Sequence, residues 1–214
     1  MMGIKAILWD FGGVMTTSPF EAFNRFEAEH GLPRDFIRTI NAHNPDDNAW
    51  ARFESSRISL EEFDIAFEEE SRAAGHALAG RAVLALLGGD VRPRMVDVLT
   101  GCREHYRVVC LTNNMNTGHG PGIWGTPERC AAVDAAMTLF HEVIESSKIG
   151  MRKPDPEIYR YACDRMQVAP SEVLYLDDLG VNLKPAKALG MQTIKVVSEE
   201  QAIADLSRIL GRAF

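Results

Sequence analysis

A doubly wound α/β fold with a small helical insert is the architecture this sequence predicts, and two observations predict it. Short apolar runs alternate with amphipathic stretches over residues 1–15 and from about residue 91 onward, and three of the four runs end in small polar or acidic residues. Residues 16–90 break that alternation, with helical periodicity and no strand-like run. Strands covered on both faces read as near-continuous apolar runs, and strands alternating with helices specify a parallel sheet between two helical layers.

Taken in order, the first strand is Ile4 to Trp9, ending at Asp10 before the flexible pair Gly12-Gly13. In the insert, Phe20, Phe23 and Phe26 line one face of a helix that Gly31 closes. Ser59-x-x-Glu62 is a capping box, in which each residue's side chain satisfies the other's backbone N–H; it opens a helix with Leu60, Phe63 and Phe67 on its apolar side. Placed straight after a strand, this segment is expected to lie as a lid over the strand ends, its aromatics forming its own core. The predicted division is a core of residues 1–15 and 91–214 and a helical cap of residues 16–90.

Beyond the insert, Arg94 to Glu104 is helical, and the run Tyr106 to Leu111 ends at Thr112-Asn113-Asn114. Pro154 to Met166 opens with proline near its start and puts Ile158, Ala162 and Met166 on one face. Val173 to Leu176 ends at Asp177-Asp178, the helix Asn182 to Leu189 stops at Gly190, and the run Thr193 to Val197 precedes the last helix. Ligands of open parallel sheets bind outside the carboxyl ends of the strands, which is where Asp10, Thr112, Asp177 and Asp178 are expected to converge.

Composition bounds the function. At 214 residues with 46% hydrophobic content, the chain can bury a sizeable core without disulfides. A net charge of −7 and the lack of any Lys or Arg run argue against a nucleic-acid partner, while leaving room for a small phosphorylated one. Cys102, Cys110, Cys130 and Cys163 are scattered, with no C-x-x-C pair, as expected of reduced intracellular thiols. The N-terminal apolar run is too short for a signal peptide or membrane span, so the expectation is a cytoplasmic protein with no membrane partner. Oligomeric state is not legible.

Singly, each candidate residue has a plain structural reading. Asp10 and Asp177-Asp178 could cap turns or helices, Thr112-Asn113-Asn114 could be loop chemistry, and Lys153 could be a solvated surface lysine. Their order along the chain is more specific. Ile7-Leu8-Trp9-Asp10-Phe11-Gly12-Gly13-Val14, Leu111-Thr112-Asn113, Lys153-Pro154 and Leu176-Asp177-Asp178-Leu179-Gly180-Val181-Asn182 resemble, in sequence order, the four motifs of the haloacid dehalogenase superfamily. Residues 144–197 are similar in particular to the phosphatase domain at the N-terminus of soluble epoxide hydrolases.

The resemblance implies a Rossmann-like core and a phosphohydrolase that forms a covalent aspartyl-phosphate on Asp10. It implies Mg²⁺ held by Asp10, the Gly12 carbonyl and Asp178, with Asp177 and Asn182 on the metal's waters or just behind them. Lys153 would neutralise charge on Asp10 and the transferring phosphoryl group, whose oxygens Thr112 and the amide of Asn113 would bind. Elementary electrostatics agrees: three carboxylates meeting at one point repel unless a cation lies between them, and Mg²⁺ suits oxygen ligands and phosphate.

One position departs from the pattern. Superfamily phosphatases usually carry a second aspartate two residues after the nucleophile, as general acid for the leaving alcohol, and here Gly12 stands there. Three readings follow: a phosphatase of small phosphomonoesters whose proton comes from water or substrate, a 2-haloacid dehalogenase, or a phosphate-binding homologue with little turnover. Other phosphoryl transfers, such as a mutase reaction, stand behind these. The acidic pair favours the first, because halide displacement needs no Mg²⁺ and crowded acids without a cation are costly. Among the remaining features, Gly118, Gly120, Gly122 and Gly125 mark a flexible loop, on which Trp124 could touch substrate and His119 could replace the missing acid. Arg152 could bind phosphate or face outward. His30, His43, His76, His105 and His141 have no metal-ligand spacing.

Overall fold

A computed structural model describes residues 3–114 and 126–214. The chain begins with strand β1 (Ala6–Trp9) and passes into five helices, α1 (Pro19–Glu29), α2 (Phe36–Ala42), α3 (Ala49–Glu54), α4 (Leu60–Ala73) and α5 (Gly80–Leu84). There follow α6 (Pro93–Arg103), β2 (Arg107–Thr112), α7 (Pro127–Met137), β3 (Glu142–Glu145), α8 (Ser146–Ile149) and α9 (Pro156–Met166). After a 3-10 turn, β4 (Val173–Asp177), α10 (Gly180–Ala188), β5 (Gln192–Lys195) and α11 (Glu199–Leu210) complete the chain.

The five strands form one parallel sheet in the order β3-β2-β1-β4-β5, with Leu8 of the central strand opposite Val109 on one side and Tyr175 on the other. From β1 the chain winds outward to β2 and β3, then returns to place β4 on the opposite side. The switch point of the sheet therefore falls between β1 and β4, where a crevice opens at the carboxyl ends. Alternate side chains point to opposite faces. Ile7, Trp9, Val108, Cys110, Leu174 and Leu176 pack in one buried cluster with residues of α6, α7 and α11. Ala6, Leu8, Val109, Leu111 and Tyr175 pack in a second with α9 and α10. This is the predicted doubly wound α/β fold.

The insert has an apolar cluster of its own, built on Phe23, Phe36, Phe53, Phe63 and Phe67. The predicted capping box is present: Ser59 Oγ accepts from the Glu62 N–H at 3.2 Å, and Glu62 Oε2 accepts from the Ser59 N–H at 2.7 Å. Buried Glu27 accepts from the backbone N–H groups of Asp35 and Ile37, tying α1 to the start of α2. The two legs of the insert run side by side: Thr17 N–H donates to Asp90 O at 2.9 Å and Arg92 N–H to Met15 O at 2.8 Å. Gly89 packs so closely there that a Cβ would lie 2.4 Å from Thr17 O.

Strand and helix limits differ from those read in sequence by one or two residues, as terminal turns usually do. Elements not delimited in that reading are β3, α7 and α8 in the core and α2, α3 and α5 in the insert, where only general helical periodicity was legible. Strand β3 is the edge sequence Glu-Val-Ile-Glu, mostly half-buried, so it lacks the continuous apolar run that marks the central strands. No helix among the described residues is long and apolar enough to cross a membrane.

Candidate active site

Each site residue is placed by the end of a strand or the turn after it. Asp10 follows β1 and is locked by its own N–H to Leu176 O at 2.9 Å. Its Oδ1 accepts from the Phe11 N–H at 2.7 Å and lies 2.8 Å from Lys153 Nζ. Thr112 ends the neighbouring β2 and is nearly buried, while Asp177 and Asp178 end β4 on the other side. Carboxylate oxygens of Asp10, Asp177 and Asp178 lie within 4.8 Å of one another. Gly13 makes that approach possible: it has φ of 72°, and a Cβ there would fall 2.2 Å from Asp178 Oδ2.

Lys153 is 2% exposed and bridges Asp10 and Asp177, at 2.8 and 2.9 Å. Its backbone is clamped by Asn113, whose side chain accepts from the Lys153 N–H at 2.8 Å and donates to its carbonyl at 3.0 Å. The side chain of Asn113 is thus spent on the lysine.

Asp177 is fully buried and surrounded by donors: Lys153 Nζ, the Tyr175 hydroxyl, the Leu179 N–H at 2.7 Å and Asn182 Nδ2 at 3.0 and 3.1 Å. Tyr159 extends the network, donating to Asn182 O at 2.7 Å. Asn182 therefore holds Asp177 directly.

Charge is poorly balanced here. Three carboxylates face one ammonium, leaving two negative charges if all are ionised. Burial pushes the Asp10 carboxyl up to about 8; the Lys153 ammonium opposes the rise, and the charges of Asp177 and Asp178 add to it. Asp178 is pushed up to about 6 by burial and the charge of Asp177, against the opposing charges of Lys153 and Arg92. Lys153 is held above its ordinary value, because Asp10 and Asp177 together outweigh the burial that disfavours its charge. An all-oxygen pocket short of two positive charges fits a hard divalent cation. Asp10, Asp177 and Asp178 are the described acids that could hold it, Asp177 being also the one most engaged by protein donors.

The Arg152 side chain turns toward the insert rather than outward. Its guanidinium donates to Glu54 Oε2 at 2.9 and 2.5 Å and to Pro45 O at 3.0 Å, both in the insert. Gly118, His119, Gly120, Gly122, Trp124 and Gly125 lie outside the described residues. Sequence reasoning missed Tyr175 and Arg92. Tyr175 lies two residues before Asp177 on the same strand, so period-2 alternation could have placed both on one face. Arg92, whose charge reaches Asp178, sits at the start of α6 with no motif to mark it.

Strand-end acids gathered around a buried lysine at the switch point mark the ligand site of a doubly wound α/β protein. The haloacid dehalogenase-like hydrolase family matches residues 4–190, and the chain belongs to it. Bifunctional epoxide hydrolase 2 of Rattus norvegicus is 44% identical over 229 residues, covering 100% of this chain and 40% of its own length. The chain spans 39–40% of the length of the bifunctional relatives it matches. D-ribitol-5-phosphate phosphatase of Bacteroides thetaiotaomicron is 27% identical, covering 90% of this chain and 91% of its own. Among solved structures, a predicted HAD-like family hydrolase from Porphyromonas gingivalis superposes with a TM-score of 0.70 at 26% identity, covering 98% of each chain.

Proposed function

We propose that the chain is a Mg²⁺-dependent phosphatase of small phosphomonoesters, acting through a covalent aspartyl-phosphate on Asp10. The observation that carries the reading is the placement of Asp10: Oδ1 is fixed by the Phe11 N–H and Lys153, and among the described residues no hydrogen bond occupies Oδ2. A relative matched along nearly its whole length and named as a phosphatase supports the same chemistry.

Asp10 Oδ2 attacks phosphorus, forming the Asp10 O–P bond as the bond from phosphorus to the leaving oxygen breaks. Lys153 stays charged between Asp10 and Asp177 and offsets the negative charge gathering on the phosphoryl group. Thr112 Oγ1 and the Asn113 N–H hold the phosphoryl oxygens. A bound Mg²⁺, held by Asp10, Asp178 and the Gly12 carbonyl, would supply charge neutralisation at the phosphoryl oxygens. With glycine at position 12, the departing alkoxide takes its proton from water. Water then attacks the aspartyl-phosphate at phosphorus, releasing inorganic phosphate and regenerating the Asp10 carboxylate. Asp177 acts as the anchor of Lys153, with Tyr175 and Asn182 holding it in place, and would stand beside the cation or on its waters. The insert, as a cap of residues 16–90, would exclude bulk water and select among small phosphorylated metabolites.

Phosphate release from p-nitrophenyl phosphate, with Mg²⁺ or with EDTA, tests the reading. Turnover should need Mg²⁺ and be lost in Asp10→Asn. No turnover by the wild type on this ester or on a panel of phosphorylated metabolites would overturn it.

A further inference from the structure

Several contacts of the insert with the core gather at one point, the segment that carries the catalytic lysine. Arg152, next to Lys153 in sequence, is the core half of a mostly buried ion pair with Glu54 at the end of α3; their side chains are 23% and 9% exposed. Glu54 is itself oriented from within the insert, its Oε1 accepting from Trp50 Nε1 at 2.9 Å. The Glu54 carbonyl accepts from the hydroxyl of fully buried Ser146 at 3.1 Å, and the Ser56 hydroxyl donates to Ser147 O at 3.2 Å.

On the core side, Ser146 and Ser147 are tied to the end of β2. Ser146 Oγ accepts from the Asn114 N–H at 3.0 Å, and Asn114 Oδ1 accepts from Ser147 N–H at 3.2 Å and Ser147 Oγ at 2.9 Å. The preceding residue, Asn113, clamps the backbone of Lys153. Two short covalent links thus join cap contacts to the lysine: Arg152–Lys153, and Asn114–Asn113. Beside the ion pair the seam is unpacked, forming a cleft of about 490 Å³ lined by Asp46, Ser55 and Arg57 of the insert and by Met151, Arg152 and Asp155 of the core.

We infer that Arg152 and Glu54 are positioning residues: their ion pair latches the cap onto the segment that holds Lys153, so that the lysine is correctly placed when the cap is docked. A buried pair of this kind strongly resists losing one partner, because the other is left desolvated and uncompensated. Opening the cap at α3 would break it and release both links to the lysine. The inference rests on the proposed phosphatase reading for its kinetic consequence, while its structural half stands apart from it.

The test uses the full chain with Mg²⁺ and four variants: Glu54→Gln, Arg152→Ala, the conservative Glu54→Asp, and Ser59→Ala as a destabilised-cap control that touches neither the latch nor the site. Hydrogen exchange reads the latch whether or not the protein hydrolyses phosphate. In Glu54→Gln the amides of residues 49–57 and of residues 145–155 should both exchange about tenfold faster or more. On p-nitrophenyl phosphate, kcat should fall by about ten- to a hundredfold in Glu54→Gln and Arg152→Ala, as expected for a displaced catalytic group. KM should change little, Glu54→Asp should recover much of the loss, and Ser59→Ala should keep the wild-type kcat. Faster exchange confined to residues 49–57, or kcat unchanged in an active enzyme, would overturn the latch. So would an equal fall of kcat in Ser59→Ala, which would assign the effect to cap stability alone. A wild type that fails to turn over ester overturns the phosphatase reading, and exchange then decides the latch by itself.

Discussion

At the scale of single residues, the position with the most to reveal is Gly12. It is exposed, and a Cβ built on it meets nothing within 4 Å beyond its chain neighbours, so a side chain can begin there without a clash. Proton donation to a leaving group is worth about 10²–10⁴-fold. Gly12→Asp is therefore expected to raise kcat on alkyl phosphates toward that range and to change little on p-nitrophenyl phosphate, whose leaving group needs no proton. A series of phosphate esters graded by leaving-group acidity checks this: the wild-type rate should fall steeply as the leaving group becomes more basic, and the variant should flatten the slope. Equal slopes would mean that another group already donates the proton. The residues of this site differ in how far sequence exposed them. Asp10, Thr112, Lys153, Asp177 and Asp178 stood out because motif order and strand ends converge on them. Tyr175 and Glu54 did not, since a tyrosine in an apolar strand reads as core and a glutamate at a helix end reads as solvated surface.

At the scale of elements, α4 shows local chemistry setting a boundary. Its capping box satisfies backbone N–H groups at Ser59 and Glu62 that the helix itself leaves orphaned, and the hydrogen bonds from Ser59 hold the Glu62 carboxyl below its usual range. Ser59→Ala is expected to lower the midpoint of urea unfolding by the equivalent of about 1 kcal/mol. Exposed caps act through this bond alone, so a shift near zero would show that the helix start is held by packing of Phe63 and Phe67. The elements most legible in sequence were those with such local determinants: capped helices, and central strands covered on both faces. Strand β3 was not, because its residues are mostly half-buried and its apolar run is only Val143-Ile144. The strand order was not read from sequence either, since it is set by pairing between residues far apart in the chain.

At the scale of the whole molecule, the concentrated negative charge makes stability depend on pH and on cations. Asp10 and Asp178 are pushed up to about 8 and about 6 in the folded, metal-free protein, from the ordinary aspartate value of 3.8. The folded state therefore binds more protons than the unfolded chain between those values. The stability this confers is fully present below the unfolded value, and it is lost as pH rises through about 6 and then about 8. Thermal unfolding in EDTA should show Tm falling from pH 5.5 to pH 8.5 on account of these groups. Mg²⁺ should raise Tm most at the alkaline end, where the carboxylates are free to receive it, and binding to the native state alone at about a hundred times Kd adds about 2.7 kcal/mol. A Mg²⁺ shift that is the same at both ends would place the cation away from these acids.

The paired legs of the insert carry a consequence for descent. Because Thr17 and Asp90, and Met15 and Arg92, are hydrogen-bonded neighbours, the core meets seventy-odd residues of cap as if they were one tight turn. Lengthening a closed loop is cheap, about 0.6 kcal/mol for each doubling. Inheritance can therefore rewrite the cap, residue by residue or wholesale, while the acids and the lysine beneath keep their registry. The freedom stops at the seam itself, at Gly89 with its backbone against Thr17 and at Glu54 under Arg152. A lineage exploring new substrates would vary almost everything between those points and leave the points alone.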